Sequence, residues 1–176
     1  MDLKEKKLRG EEVFAGRLLR VYRDRIRLPD GSEGEREYIR HPGAVAIVAL
    51  FEDGRVLLER QYRYPHGCEL IEVPAGKLEP GEPHAETARR ELLEETGYVA
   101  SLWSRLGTLR PSVAYTDEVI ELYLARGLEK REAKLDEGEF LEVLTPGFEE
   151  AVAMVRDGVI TDTKTVAGLL WAKTFL

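Results

Sequence analysis

A chain of 176 residues with 43% hydrophobic content is long enough to bury one sizeable core, which fits a single globular unit. With 33 acidic against 26 basic side chains, the formal charge of −7 argues against a nonspecific grip on nucleic acid or on an anionic membrane, so an anionic ligand has to be held locally. No apolar run approaches the roughly 20 residues of a membrane helix and the start MDLKEKKLRGEE lacks a secretory apolar stretch, which points to the cytoplasm, while Cys68, the single cysteine, excludes an internal disulfide and a cysteine-based zinc site.

In chain order, RLLRVYRDRIRLPDGSEGEREYIR holds two alternating segments divided by the turn dipeptide Asp30-Gly31, and reads as a β-hairpin or a pair of long strands. These strands, at 11–41, belong to an expected N-terminal β extension at 1–42 that precedes a main domain at 43–176. Next, Asp53-Gly54 separates AVAIVAL, a continuous apolar run of the kind found in fully buried strands, from a second strand, RVLLERQYRY. ELIEVPAG is a short strand stopped by Pro74. Further on, ASLWSRLGTL, VIELYLARG and FLEVLTP read as strands, and FEEAVAMVRDG and DTKTVAGLLWAKTF as helices, with starts plausible at Gly147 and Asp162. Strands, a helix, more strands and then helices fit an α/β or α+β sandwich with the strands in the middle.

The stretch GKLEPGEPHAETARRELLEETGY, residues 76–98, carries the chemistry. Pro83 suits a first helical turn, Glu86 a helix N-terminus and Gly97 a C-terminal stop, which predicts a helix over about 83–96. At about 100° per residue, Ala85, Ala88 and Leu92 share an apolar stripe, and Glu91, Glu94 and Glu95 fall within an arc of about 100° beside it. Two such charges about 5 Å apart repel by roughly 3 kcal/mol at an effective dielectric near 20. A hard divalent cation reverses the sign, because magnesium and manganese prefer oxygen ligands. A solvated face laced with i,i+4 ion pairs is the competing reading of RRELLEE.

The wider spacing decides between them. Gly76, Glu82, Arg90, Glu91, Leu92, Glu94, Glu95, Gly97 and Tyr98 satisfy G-x5-E-x7-R-E-U-x-E-E-x-G-U, with U a bulky apolar or aromatic residue, at every specified position. The chain thereby resembles the Nudix hydrolases. That resemblance implies an α/β/α sandwich with a mixed central sheet, and hydrolysis of a nucleoside diphosphate linked to another group with Mg²⁺ or Mn²⁺. It implies that Glu91 and Glu95 are the main metal ligands and Glu94 an additional or bridging one, with two or three ions per site. Gly76, Glu82, Arg90 and Gly97 would be structural, with Arg90 and Glu82 pairing to hold the loop at 76–82 onto the helix.

The flanks narrow the substrate. E-x-P-A-G, directly before the signature, resembles the ADP-ribose and nucleoside-diphosphate-sugar pyrophosphatase branch, in which the alanine, here Ala75, offers its carbonyl to a metal. LRPSVAYTDE, with Pro111 and Glu118, resembles the loop that positions the terminal ribose, although the usual form carries a glycine where this chain has Val113-Ala114-Tyr115. Related enzymes carry a mobile catalytic glutamate in a loop such as KLDEGEFLEV. Glu139 aligns best with it, Glu137 is the second candidate, and a solvated acidic turn is the alternative. Arg60 and Arg63, at a strand end, could reach a diphosphate or a base, since Arg grips phosphate bidentately and stacks on aromatic planes; surface strand arginines are the competing reading.

The function implied is Mg²⁺-dependent cleavage of ADP-ribose or a related nucleoside-diphosphate sugar, giving AMP and ribose 5-phosphate from ADP-ribose. The alternatives are GDP-mannose or FAD as substrate, or a non-catalytic nucleotide-sugar sensor. The same branch forms homodimers in which N-terminal strands cross between subunits, so a homodimer is expected.

Overall fold

The computed structural model describes residues 2–135, 138 and 140–175. Glu137 and Glu139, the two loop candidates, lie outside the described residues. Strands β1 (Lys6–Ala15), β2 (Arg20–Arg27) and β3 (Glu33–Arg40) form an antiparallel sheet of their own in the order β1-β2-β3. The expected turn between β2 and β3 is made by Asp30, whose Oδ1 accepts from the Ser32 N–H at 3.0 Å and the Ser32 hydroxyl at 2.6 Å, and by Gly31 at φ 89°. Within the extension the strands begin at Lys6 rather than at the expected 11. In KKLRGEEVFA charged residues stand on both faces, which hides the alternation, and every residue of β1 is exposed.

The main sheet is built from β4 (Ala44–Leu50), β5 (Val56–Arg63), β6 (Cys68–Glu72), β7 (Ala75–Lys77), β8 (Tyr98–Leu109), β9 (Ile120–Lys130) and β10 (Leu141–Leu144). Its order is β10-β5-β4-β9-β8, with β6 added to β5 and β7 to β4. Strand β4 runs parallel to β9 and the other pairs are antiparallel, so the sheet is mixed. The helices are α1 (His84–Thr96), α2 (Phe148–Arg156) and α3 (Thr163–Lys173).

The apolar run AVAIVAL is β4, buried at all seven positions because both of its faces are covered. Val45, Ile47 and Ala49 pack with Ala88 and Leu92 of α1, while Ala46, Val48 and Leu50 pack with Phe148 and Ala151 of α2 and Leu169 and Ala172 of α3. Removing the larger of these side chains, the valines, leucines, isoleucine and Phe148, from water contributes about 1.5–3 kcal/mol each, which is the main force holding the three layers together. The result is the expected helix–sheet–helix sandwich.

One feature of the sheet makes room for a site. Strands β4 and β5 pair only beside their turn, at Ala49↔Leu57 and Leu50↔Val56. Farther along, β4 pairs β7 instead, at Ala44 to Ala46, and β5 pairs β6 from Glu59 to Arg63. The two central strands therefore part company, and a cavity of about 580 Å³ lies at that end, lined by residues of both.

Candidate active site

Helix α1 begins and ends where its residues dictate. Pro83 stands just outside the first turn, at φ −67°, and its carbonyl accepts from the Glu86 N–H at 2.9 Å. Gly97 closes the helix in the left-handed region at φ 69°, donating its N–H to the Leu93 carbonyl at 2.8 Å. An L side chain is strained at that φ, and a Cβ there would also meet the Arg131 carbonyl at 3.0 Å. With Ala88 and Leu92 fully buried against the sheet, the adjacent arc carrying Glu91, Glu94 and Glu95 turns into the cavity, and all three line it.

The loop before the helix is held by Arg90. Its Nε donates to Glu82 Oε1 at 3.1 Å and its Nη2 to Glu82 Oε2 at 3.0 Å, while Nη2 also reaches the Lys77 carbonyl at 3.4 Å. The Arg90 guanidinium holds the Glu82 carboxyl at about 2, well below the usual range, with a smaller contribution from the Thr87 hydroxyl. Arg90 Nη1 lies 2.9 Å from Glu91 Oε1 and 3.0 Å from Glu94 Oε2. The acidic arc is thus partly neutralised by the same side chain that folds the loop onto the helix.

Strand β7 forms the floor beneath these carboxylates. The Ala75 N–H donates to Glu95 Oε2 at 3.1 Å, and Glu95 is only 6% exposed. Gly76 packs directly on Glu91: a Cβ at Gly76 would fall 1.9 Å from the Glu91 carboxyl carbon. Across the cavity, Pro111 and Glu118 line the wall made by the loop between β8 and β9. That loop is stitched to the end of β3, with the Ile39 N–H donating to the Tyr115 carbonyl at 2.8 Å and the His41 N–H to Asp117 Oδ1 at 2.8 Å. His41 Nδ1 lies 3.7 Å from Glu118 Oε1.

The two strand arginines part. Arg63 lines the cavity, whereas Arg60 is not among the lining residues and meets Glu142 and Glu69 instead. Side chains three apart on a strand face opposite sides of the sheet, so only one of the pair could turn inward.

The profile of the NUDIX domain matches residues 40–166, which span this whole arrangement. The chain belongs to that family. Nudix residues 40–166 are preceded by a match at 5–39 to the nucleoside diphosphate sugar hydrolase N-terminal domain. Among curated relatives, the methanol dehydrogenase activator of Bacillus methanolicus is 42% identical over 164 residues, covering 92% of this chain and 89% of that one. The ADP-ribose pyrophosphatase of Bacillus subtilis (strain 168) is 40% identical over 168 residues, covering 93% of this chain and 90% of that one. A crystal structure described as an ADP compounds hydrolase superposes with a TM-score of 0.88 at 23% identity, covering 100% of this chain and 96% of that chain, which shows a shared fold.

The donor set of this Nudix site suits a hard divalent cation: three carboxylates and the Ala75 peptide meet at one cavity wall, all oxygen donors. Among the described residues no three acidic, histidine or cysteine side chains stand as a ready-made cage. Mg²⁺ does not need one, since it usually binds through one or two carboxylates plus waters and substrate phosphates. The glycine at 76 is the closest mark of fit, because only a residue without Cβ lets the β7 backbone approach the Glu91 carboxylate.

Several lining residues escaped the sequence reading. Gln61, Lys77, Thr163 and Lys164 line the cavity, as does Asp162, which the sequence marked only as a helix start. A weak signal for Lys164 existed: it sits in the first turn of α3, where the helix dipole disfavours a cation and an anionic neighbour offsets the cost. No helix among the described residues is long and apolar enough to cross a membrane.

Proposed function

We propose that this Nudix pyrophosphohydrolase cleaves the diphosphate of ADP-ribose, giving AMP and ribose 5-phosphate, with Mg²⁺ or Mn²⁺ as cofactor. The observation that carries this reading is one cavity with Glu91, Glu94, Glu95 and Ala75 on one wall and Arg63 on another, in a volume of about 580 Å³ that suits a nucleotide-sized ligand. Two or three ions held here would supply charge neutralisation at the phosphates and a polarised water. Glu91 and Glu95 would hold them, with Glu94 as an additional ligand and the Ala75 carbonyl as a neutral oxygen donor. Arg63 meets a phosphate or the base, and Arg60, which faces away, is the weaker of the two candidates.

Hydrolysis adds water across one phosphorus–oxygen bond: the water oxygen bonds to phosphorus, the bridging oxygen leaves with one product, and a carboxylate takes the water proton. We assign that proton to Glu139, with Glu137 and Glu94 as the other candidates. Pro111 and Glu118 shape the terminal-ribose side. The residues of 1–42 act as a dimerisation extension, and the working form is a cytoplasmic homodimer that uses neither nucleic acid nor membrane.

The test is a panel of ADP-ribose, GDP-mannose and FAD with and without Mg²⁺, reading phosphate release after phosphatase treatment of the products. ADP-ribose should be the preferred substrate, strictly metal-dependent, and Glu91→Gln or Glu95→Gln should lower kcat by orders of magnitude with the fold intact. Near-normal turnover in both variants would remove the metal-site assignment. A preference for GDP-mannose or FAD would move the reading to its neighbour. A second reading has its own support: the relative at 42% identity is named as an activator of methanol dehydrogenase. Tight nucleotide-sugar binding by wild-type protein with no turnover on any member of the panel would favour a regulatory role.

A further inference from the structure

The wall of the cavity facing the carboxylates holds a buried charge cluster that the signature does not include. Glu72, at the end of β6, is 2% exposed. It accepts from Arg63 through both oxygens, Nε to Oε1 at 2.6 Å and Nη2 to Oε2 at 2.8 Å, and Oε2 also accepts from Lys164 Nζ. Lys164 Nζ lies 3.1 Å from Asp162 Oδ2 as well. The group therefore balances two cations, Arg63 and Lys164, against two anions, Glu72 and Asp162.

The backbone that delivers Lys164 is fixed. Asp162 caps α3, accepting at Oδ2 from the Thr165 N–H at 2.9 Å and the Thr165 hydroxyl at 2.6 Å. The Thr165 hydroxyl in turn accepts from the Val73 N–H at 2.8 Å, which ties the start of α3 to the chain segment between β6 and β7. The Lys164 side chain is 12% exposed, while the Arg63 side chain stays 40% exposed on the cavity wall.

We propose that Lys164 is a positioning residue for the substrate diphosphate: by sharing the Glu72 carboxylate it fixes the Arg63 guanidinium toward the cavity and leaves it the positive charge to meet an anion. Without Lys164 the remaining three groups carry a net negative charge beside a wall that has to accept a diphosphate, and Glu72 and Asp162 both draw on one guanidinium. A buried carboxylate is costly unless its charge is matched, so with Lys164 gone Glu72 would depend on Arg63 alone for neutralisation and leave less of its positive charge for a ligand. This inference rests on the pyrophosphatase reading above, and it makes α3, far downstream of the signature, part of the substrate site.

The test is steady-state kinetics of the full-length protein on ADP-ribose at saturating Mg²⁺, for Lys164→Met, Arg63→Ala and the double variant. Lys164→Met should raise KM about tenfold, the loss expected for one charge-assisted contact, with kcat within about threefold of wild type. In the Arg63→Ala background the same change should cost almost nothing further, because Lys164 acts through Arg63. An unchanged KM in Lys164→Met, or additive losses in the double variant, would overturn the proposal. If Lys164→Met does not fold, Asp162→Asn answers with the opposite sign, since asparagine still caps the helix while the cluster becomes net positive: KM should fall, and an unchanged or higher KM would overturn the proposal. A wild type with no activity on the panel sinks the functional reading itself, a result separable from an active wild type with an indifferent Lys164.

Discussion

Replacing Gly76 by alanine isolates the geometry of the carboxylate arc from its charge. The new Cβ would fall 1.9 Å from both the carboxyl carbon and Oε1 of Glu91 and 2.4 Å from Oε2, and contacts under 3.0 Å force a shift. The Glu91 carboxylate therefore has to retreat by about 1 Å, a displacement of the size that costs on the order of 10²-fold in rate when it misplaces a group serving the reaction. The atoms that must move are the far end of a flexible side chain, so the fold loses little, at the low end of the roughly 1–3 kcal/mol that local overpacking costs. The assay is kcat on ADP-ribose across a Mg²⁺ titration, with thermal unfolding of the same preparation. We expect Gly76→Ala to lose about 10²-fold in kcat, to need more Mg²⁺, and to shift Tm only slightly. Wild-type kcat in this variant would refute the claim that the β7 backbone sets the position of a metal-binding Glu91. A large loss of Tm would instead show that the backbone, rather than Glu91, gives way.

Three further outcomes follow from other parts of the molecule. Glu139→Gln should lower kcat by about 10²–10⁴-fold with little change in KM, Glu137→Gln should do less, and Glu118→Gln should act mainly on KM; wild-type kcat in Glu139→Gln sends the search for the base to Glu137 or Glu94. Burial alone would raise the Glu72 carboxyl, yet Arg63 and Lys164 outweigh it and hold the group at about 2 against an ordinary 4.5. Its stabilisation, up to roughly 3 kcal/mol, is complete above the unfolded value and is lost as pH falls from about 4.5 toward 2, so the Tm gap between wild type and Glu72→Gln should narrow over that window; a gap constant from pH 6 to pH 3 contradicts it. Light scattering should return a homodimer, and a monomer fully active at nanomolar concentration would rule out the role given to the N-terminal sheet, whose edge strand β1 is exposed along its whole length.

Local features were legible in the sequence because their causes are local. The AVAIVAL strand, the Asp30-Gly31 and Asp53-Gly54 turns, the stop at Gly97 and the cap at Asp162 each follow from a few adjacent residues, and all are present. The clustering of Glu91, Glu94 and Glu95 is equally a property of one helix, since 3.6 residues per turn put them on one arc wherever the helix packs. Strand β1 was obscured because its charged residues leave no buried apolar face, and what makes it a strand is its backbone pairing with β2. What tertiary structure alone decided is which groups meet that arc. The parting of β4 and β5 opens the cavity, strand alternation turns Arg63 into it and Arg60 away, and the packing of α3 brings Lys164 to Glu72 across 92 residues of chain. No short-range pattern encodes a contact of that separation; it exists because both residues are anchored to the same buried layer, Glu72 by its strand and Lys164 by the capped helix that covers it.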